Sequence, residues 1–128
     1  MKTIGFGLVQ TSGMNLLLRP SMYDSYHKVE ILRNPLLASS ENDDKYVTAT
    51  ITGNVCESCD VLATDRQILL PRIGDYVKIH DTGAYGYSMS SNYTGRLRPA
   101  EVLVCKNGQD TLIRKAETMN DIEKTFMI

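Results

Sequence analysis

A cysteine followed directly by a glutamate, Cys56-Glu57, is the pair in this sequence whose types are best suited to proton chemistry. The pair comes just after Gly53-Asn54, where a strand is predicted to end and where side chains can face a cleft. A thiol can donate a proton to a carbanion when its pKa is suitably held. Adjacency in sequence is by itself only a weak indication of such a donor.

The same cysteine belongs to a single Cys-x-x-Cys motif, formed by Cys56 and Cys59. One such pair is half of a zinc site, and neither a second pair nor a histidine cluster follows it. No βαβ pattern surrounds the motif, as a thioredoxin-like dithiol would require. We therefore predict no metal site, and we interpret Cys59 as a small packing residue.

Two other positions carry side chains that suit anionic groups. Arg19 and Tyr23, on either side of Pro20, can clamp a carboxylate, for which arginine offers a planar fork of donors. The alternative is a surface arginine and a packing tyrosine. Tyr85 lies in a Gly-Ala-Tyr-Gly turn whose small residues leave the phenol free to bind a phosphate or carboxylate, although the residues alone favour an ordinary turn tyrosine.

Composition and charge exclude several classes of protein. The chain has 128 residues, enough for one domain with a real core, and is 42% hydrophobic and 23% charged. The net charge is −1 and the sequence has no basic run, so it lacks the cluster of positive charge that is typical of nucleic-acid-binding proteins. No apolar run approaches the roughly 20 residues that span a bilayer. Three cysteines, an odd number, and an N-terminal stretch interpreted as a strand and not as a signal peptide predict a cytoplasmic protein.

The elements that position these residues are predicted to be mainly β-strands. Residues 4–9 form a short buried strand, and residues 15–26 form a loop with one helical turn, because Pro20 disfavours a long helix. A strand over residues 29–32 follows. The acidic, turn-rich stretch over residues 34–45 is predicted to be a solvent loop.

The second half of the chain has clearer strand patterns. Residues 46–52 and 76–80 alternate apolar and polar side chains, which is typical of half-buried strands, and residues 60–65 are predicted to be a loop or turn. An Asn-Gly pair between the runs 101–105 and 111–115 predicts a hairpin.

The C-terminal tail changes to a helical period. Met119, Ile122 and Phe126 share one predicted helix face, and Thr118 with Asp121 has the form of a capping box. The fold class is therefore mainly β: several antiparallel strands with short helical segments, arranged as a small barrel or sandwich.

Three blocks of the sequence, in this order, resemble signatures of diaminopimelate decarboxylase, a member of the ornithine, diaminopimelate and arginine decarboxylase family. The first block is GMN at 13–15 with LRPxxYDxYH at 18–27, and the second is GxxCESxD at 53–60. The third block is GD at 74–75, HDxGAYG at 80–86, MSSNY at 89–93 and RPAEV at 98–102. The resemblance covers most of residues 10–118 and concerns only the C-terminal part of that enzyme.

The resemblance implies the C-terminal β-domain of a pyridoxal-phosphate-dependent enzyme of the alanine-racemase-like fold type. Such enzymes convert meso-diaminopimelate to L-lysine and carbon dioxide, with the cofactor as electron sink. Carried over residue by residue, Arg19 and Tyr23 would bind the distal carboxylate of the substrate, and Glu57 its distal ammonium. Cys56 would donate a proton, and Tyr85 would contact the cofactor phosphate and the substrate. In this family the Cys-Glu element crosses a dimer interface, so the resemblance implies a homodimer.

The TIM-type barrel of the family, with its Schiff-base lysine and phosphate-binding loops, has no match in this sequence. We therefore expect a single C-terminal domain over residues 1–128 that is inactive alone and needs a barrel on another chain or a second subunit. Alternatives are a non-catalytic β-domain that binds a carboxylate ligand or a partner barrel, or a fragment of a related ornithine or arginine decarboxylase.

Two departures from family patterns bear on these alternatives. Ornithine decarboxylases typically carry Cys-Asp-Gly where this sequence has Cys56-Glu57-Ser58, which favours the diaminopimelate branch. Cys59 stands where the family usually has glycine.

Overall fold

The strands of this chain lie in three small sheets. The structure is a computed structural model that describes residues 12–37 and 45–127, and the backbone of residues 6–9. The fold is mainly β with short helices, as predicted. In chain order the elements are β1 (Phe6–Val9), α1 (Arg19–Tyr23), β2 (Val29–Leu32), β3 (Tyr46–Thr52), β4 (Val61–Leu69), β5 (Tyr76–Ile79), a 3-10 turn (Tyr93–Gly95), β6 (Glu101–Val104), β7 (Asp110–Arg114) and α2 (Met119–Glu123).

The largest sheet has the order β1-β3-β4, and β3 is its central strand. The predicted alternation of β3 is confirmed, because Ala49 and Ile51 are each only 1% exposed. β4 is antiparallel to β3, as predicted. β1 is parallel to β3, whereas the sequence analysis predicted antiparallel strands only. A parallel pair needs a long crossover connection, and here α1 and β2 lie within that connection.

β4 is the clearest error of the sequence-based prediction. The stretch predicted as a loop over residues 60–65 belongs largely to a strand of nine residues, Val61–Leu69. Leu62 and Ile68 are each 2% exposed, so both ends of the strand contribute to the core. The polar middle of the strand resembles a turn because Asp65 has φ 49° at a break in the register with β3, as in a β-bulge.

The core lies between the three-stranded sheet and the antiparallel pair formed by β2 and β5. Both strands of that pair were predicted, although β5 ends at Ile79, one residue earlier than expected. The buried apolar cluster draws its members from β2, β3, β4 and the segment before α1. They are Leu17, Val29, Ile31, Ala49, Ile51, Leu62, Ala63 and Ile68.

The hairpin of β6 and β7 confirms the prediction from the Asn-Gly pair. Gly108 has φ 80°, a left-handed conformation that glycine adopts without steric cost. All of β7 and most of β6 are exposed, including the aliphatic side chains of Val104 and Ile113. The hairpin therefore contributes little to the apolar core.

The two helices are single turns, as the sequence predicts for the first of them. Pro20 lies in the first turn of α1, where its missing N–H costs nothing. The capping box of Thr118 and Asp121 begins α2, but the helix ends at Glu123, so Phe126 lies beyond it and is 61% exposed. Within the described residues, no helix has the length and apolar character needed to cross a membrane.

Some predictions fall on residues that are outside the described ranges. These are residues 4 and 5 of the predicted first strand and residues 38–44 of the predicted acidic loop.

Candidate active site

A buried carboxylate, Asp60, ties together two of the three sequence blocks. Its side chain is 3% exposed and accepts hydrogen bonds from the backbone amides of Met14 at 2.7 Å and Val55 at 2.8 Å. Gly13 and Gly53 pack so closely against the same carboxylate that a Cβ atom at either position would overlap its oxygens. Asp60 therefore fixes the loop between β3 and β4 against the segment that leads into α1.

Arg19 and Tyr85, from the first and third blocks, lie in direct contact. The guanidinium carbon of Arg19 is 4.1 Å from the centroid of the Tyr85 ring, which is cation–π geometry. Tyr85 lies in a turn after β5, where the backbone amides of Tyr85 and Gly86 both donate to the Thr82 carbonyl. Tyr85 is 40% exposed, so the residue is accessible from solvent.

Tyr23 lies on the same helix as Arg19, four residues later. Side chains at this spacing are neighbours on a helix surface. Tyr23 is 59% exposed, so its side chain is accessible from solvent.

Glu57 lies half-buried on the loop between β3 and β4 and contacts Tyr93. The Tyr93 phenol donates a hydrogen bond to Glu57 Oε2 at 3.1 Å. This bond first, and then one from the Cys59 backbone, holds the pKa of Glu57 below its usual value. Glu57 is therefore ionised at neutral pH and can bind a cation.

The two cysteines of this loop have different surroundings. Cys56 is exposed and carries a free thiol. Cys59 is also exposed, which corrects its interpretation as a packing residue, because it lies in a surface turn closed by the Asp60 amide and the Glu57 carbonyl. Its Sγ is 3.9 Å from Met14 Sδ, and partial desolvation followed by the Glu57 charge raises the pKa of its thiol.

Three relations among the predicted site residues are therefore visible. Arg19 contacts Tyr85, Tyr23 lies on the same helix as Arg19, and Cys56 and Glu57 are neighbours on the loop between β3 and β4. A cleft of about 220 Å³ is lined by Tyr93, which contacts Glu57, together with Met14, Asn15, Leu18 and Ser91.

Sequence reasoning missed Asp60 and Tyr93 as residues that organise the site. Both belong to the sequence blocks, but their partners lie 46 and 36 residues away along the chain. Within the described ranges, no group of three or more histidine, cysteine, aspartate or glutamate side chains is placed to hold a metal ion.

The fold is that of a sheet domain, and its loops carry the candidate site residues. Residues 6–83 match the family model of the pyridoxal-dependent decarboxylase C-terminal sheet domain. The chain belongs to this family, and the resemblance inferred from the three sequence blocks is confirmed.

Similar proteins include several diaminopimelate decarboxylases. That of Methanothermobacter thermautotrophicus is 46% identical over 111 residues, which are 87% of this chain and 24% of that protein. That of Archaeoglobus fulgidus is 43% identical and covers 87% of this chain and 25% of the relative. The crystal structure of the M. jannaschii enzyme in complex with L-lysine has a TM-score of 0.81 at 35% identity, covering 100% of this chain and 28% of that chain. The chain therefore spans about a quarter of the length of these relatives.

Tyr85 and Gly83 of the third block, together with Arg19 of the first block, fit a phosphate-bearing cofactor such as pyridoxal phosphate. The exposed Tyr85 phenol is a hydrogen-bond donor, and the Arg19 guanidinium beside it adds positive charge. At Gly83, in the same turn, nothing lies within 4 Å of the position that a Cβ atom would take, so a ligand has room to approach the backbone.

Proposed function

We propose that this chain forms the substrate-facing C-terminal domain of a pyridoxal-phosphate-dependent diaminopimelate decarboxylase, which makes L-lysine and carbon dioxide from meso-diaminopimelate. The observation that carries the proposal is the contact of Arg19 with Tyr85, which joins two of the family's sequence blocks. These two side chains suit a carboxylate and a phosphate. The lysine complex of the M. jannaschii relative supports the assignment of the ligand class.

Each residue of the site has a role that its chemistry permits. Arg19 and Tyr23 bind the distal carboxylate of the substrate, and the ionised Glu57 binds its distal ammonium. Tyr85 donates a hydrogen bond to the cofactor phosphate and contacts the substrate. When bound, pyridoxal phosphate supplies the electron sink for loss of the carboxylate. The Cys56 Sγ then delivers a proton to the substrate carbon that has lost its carboxylate.

The family resemblance supports a homodimer, because the Cys-Glu element of the family crosses a dimer interface. In this arrangement the loop with Cys56 and Glu57 reaches Arg19, Tyr23 and Tyr85 of the second copy. Catalysis further depends on a barrel domain, on this or another polypeptide, whose lysine holds the cofactor. The free thiols of Cys56, Cys59 and Cys105 support a reducing, cytoplasmic location.

A chimera tests this function. This chain replaces the matching part of the M. thermautotrophicus relative, and lysine formation from diaminopimelate is measured with ornithine and arginine as alternative substrates. We expect lysine formation with a clear preference for diaminopimelate. Cys56→Ser should lower kcat at least roughly 100-fold, because a positioned proton donor contributes that much or more. Cys105→Ser is the matched control, because Cys105 lies next to the hairpin turn, outside the site.

Two results would contradict the proposal. The first is a folded chimera that binds pyridoxal phosphate, seen by its absorbance, and forms no lysine. The second is equal loss of activity in Cys56→Ser and Cys105→Ser. Release of carbon dioxide by the chain without a barrel would contradict the dependence on that domain.

A further inference from the structure

The 3-10 turn at Tyr93–Gly95 holds the loop that carries Glu57 at two points. The Tyr93 phenol donates to Glu57 Oε2 at 3.1 Å, and Arg96, directly after the turn, donates from its guanidinium to the Asn54 carbonyl at 3.1 Å. The two contacts lie at either end of the stretch from Asn54 to Glu57. The turn therefore constrains both the backbone of this stretch and the carboxylate at its end.

The turn is itself anchored to a distant part of the chain. The Asn92 side-chain amide donates to the Arg96 carbonyl at 2.9 Å and to Glu117 Oε2 at 2.7 Å. The same Glu117 oxygen accepts the backbone amide of Arg98 at 2.8 Å. The backbone that carries Tyr93 is thus fixed on both sides, so the phenol is presented to Glu57 from a defined position.

A phenol leaves the charge of the carboxylate intact, whereas a lysine or arginine partner would neutralise it. Tyr93 donates to Oε2, and the two oxygens of a carboxylate together offer about four lone-pair positions, so Glu57 can accept a further hydrogen bond from a ligand ammonium. The same hydrogen bond raises the pKa of Tyr93, so the phenol keeps its proton and remains a donor at neutral pH.

We propose that Tyr93 is a positioning residue that orients the Glu57 carboxylate toward an ammonium-bearing ligand. This inference rests on the proposed function, in which Glu57 binds the distal ammonium of the substrate. Tyr93 does not contact the substrate in this proposal; it increases the affinity for the substrate by holding the Glu57 carboxylate in the orientation that binds the ammonium.

Tyr93→Phe removes only the phenolic oxygen, and Tyr46→Phe is the matched control. Tyr46 is 65% exposed and begins β3, at the opposite end of that strand from the loop. The first readout is the titration of the Glu57 side-chain carboxyl by NMR in the complete chain. Tyr93→Phe should raise the pKa of Glu57 toward its ordinary value, because the lost hydrogen bond stabilises the charged form. Tyr46→Phe should leave the titration unchanged.

The second readout is the kinetics of the chimera described above. Tyr93→Phe should raise KM for diaminopimelate roughly three- to tenfold, the range that the net contribution of one typical hydrogen bond accounts for, with a smaller effect on kcat. An unchanged Glu57 titration would overturn the proposal. So would a raised pKa of Glu57 in an active chimera whose KM is unaltered. A chimera with no activity at all would contradict the proposed function, and the contact of Tyr93 with Glu57 would still be judged by the titration.

Discussion

Asp60 places a carboxylate in the interior and uses its two oxygens for two different segments. Oδ1 accepts the Met14 amide and Oδ2 accepts the Val55 amide. An asparagine has one acceptor oxygen, so its NH₂ group would face a backbone N–H donor. Buried donors without an acceptor cost free energy comparable to a lost hydrogen bond.

Asp60→Asn should therefore lower the free energy of unfolding by about 2–4 kcal/mol, measured by urea denaturation. Asp65→Asn is the control, since Asp65 is exposed and has a left-handed φ of 49° that asparagine adopts readily. It should change stability by less than about 0.5 kcal/mol. Equal stability of the two variants would contradict the anchoring role of Asp60.

At the scale of elements, Asp75 joins the end of β2 to the beginning of β5. Its side chain is 2% exposed and accepts hydrogen bonds from the Arg33 guanidinium at 2.7 Å and the Arg72 amide at 2.8 Å. The Asn34 amide also donates to it, at 3.1 Å. Burial alone would raise the pKa of Asp75, but these donors outweigh burial and hold it well below its usual range.

The sign of the resulting pH dependence follows from that depressed pKa. The contribution of Asp75 to stability is complete above the unfolded-state pKa of about 3.9 and is lost as pH falls toward the folded-state pKa. Asp75→Asn should cost about 2 kcal/mol at pH 7 and should reduce the loss of stability between pH 7 and pH 3. Urea midpoints at both pH values measure this, with Asp110→Asn on the exposed hairpin as control. Parallel pH profiles of Asp75→Asn and the unmodified chain would contradict the assignment.

The whole molecule exposes much aliphatic surface on the β6-β7 hairpin. Val104 is 73% exposed, and Leu103, Leu112 and Ile113 are at least 50% exposed. A two-stranded hairpin with apolar side chains in water is marginally stable without a partner surface. We expect the isolated chain to self-associate at micromolar concentrations.

Sedimentation velocity measures this association. Val104→Lys should reduce it because the substitution places a charge within the apolar surface. Thr111→Lys, which adds the same charge at an exposed polar position of β7, should have a smaller effect. A monodisperse, cooperatively folding monomer of the unmodified chain would refute this expectation.

The local sequence pattern predicted correctly those elements whose burial or turn type is visible in consecutive residues. The alternation around Ala49 and Ile51 identified β3, and the Asn-Gly pair identified the hairpin of β6 and β7. β4 was misassigned because its polar middle, with Asp65 at a bulge, resembles a turn unless the neighbouring strand is known. The parallel direction of β1 likewise depends on how the chain crosses between strands.

The sequence by itself determined the family, the strand-rich class and the identity of the candidate site residues. Motifs and hydrophobic periodicity depend only on residues that are close together in the chain, so they can be recognised without a structure. Only the tertiary structure decided that Arg19 meets Tyr85, that Tyr93 holds Glu57 and that Asp60 anchors two segments. Each of these contacts joins residues far apart in the chain. Their meeting depends on how the sheets pack, and packing is a property of the whole fold.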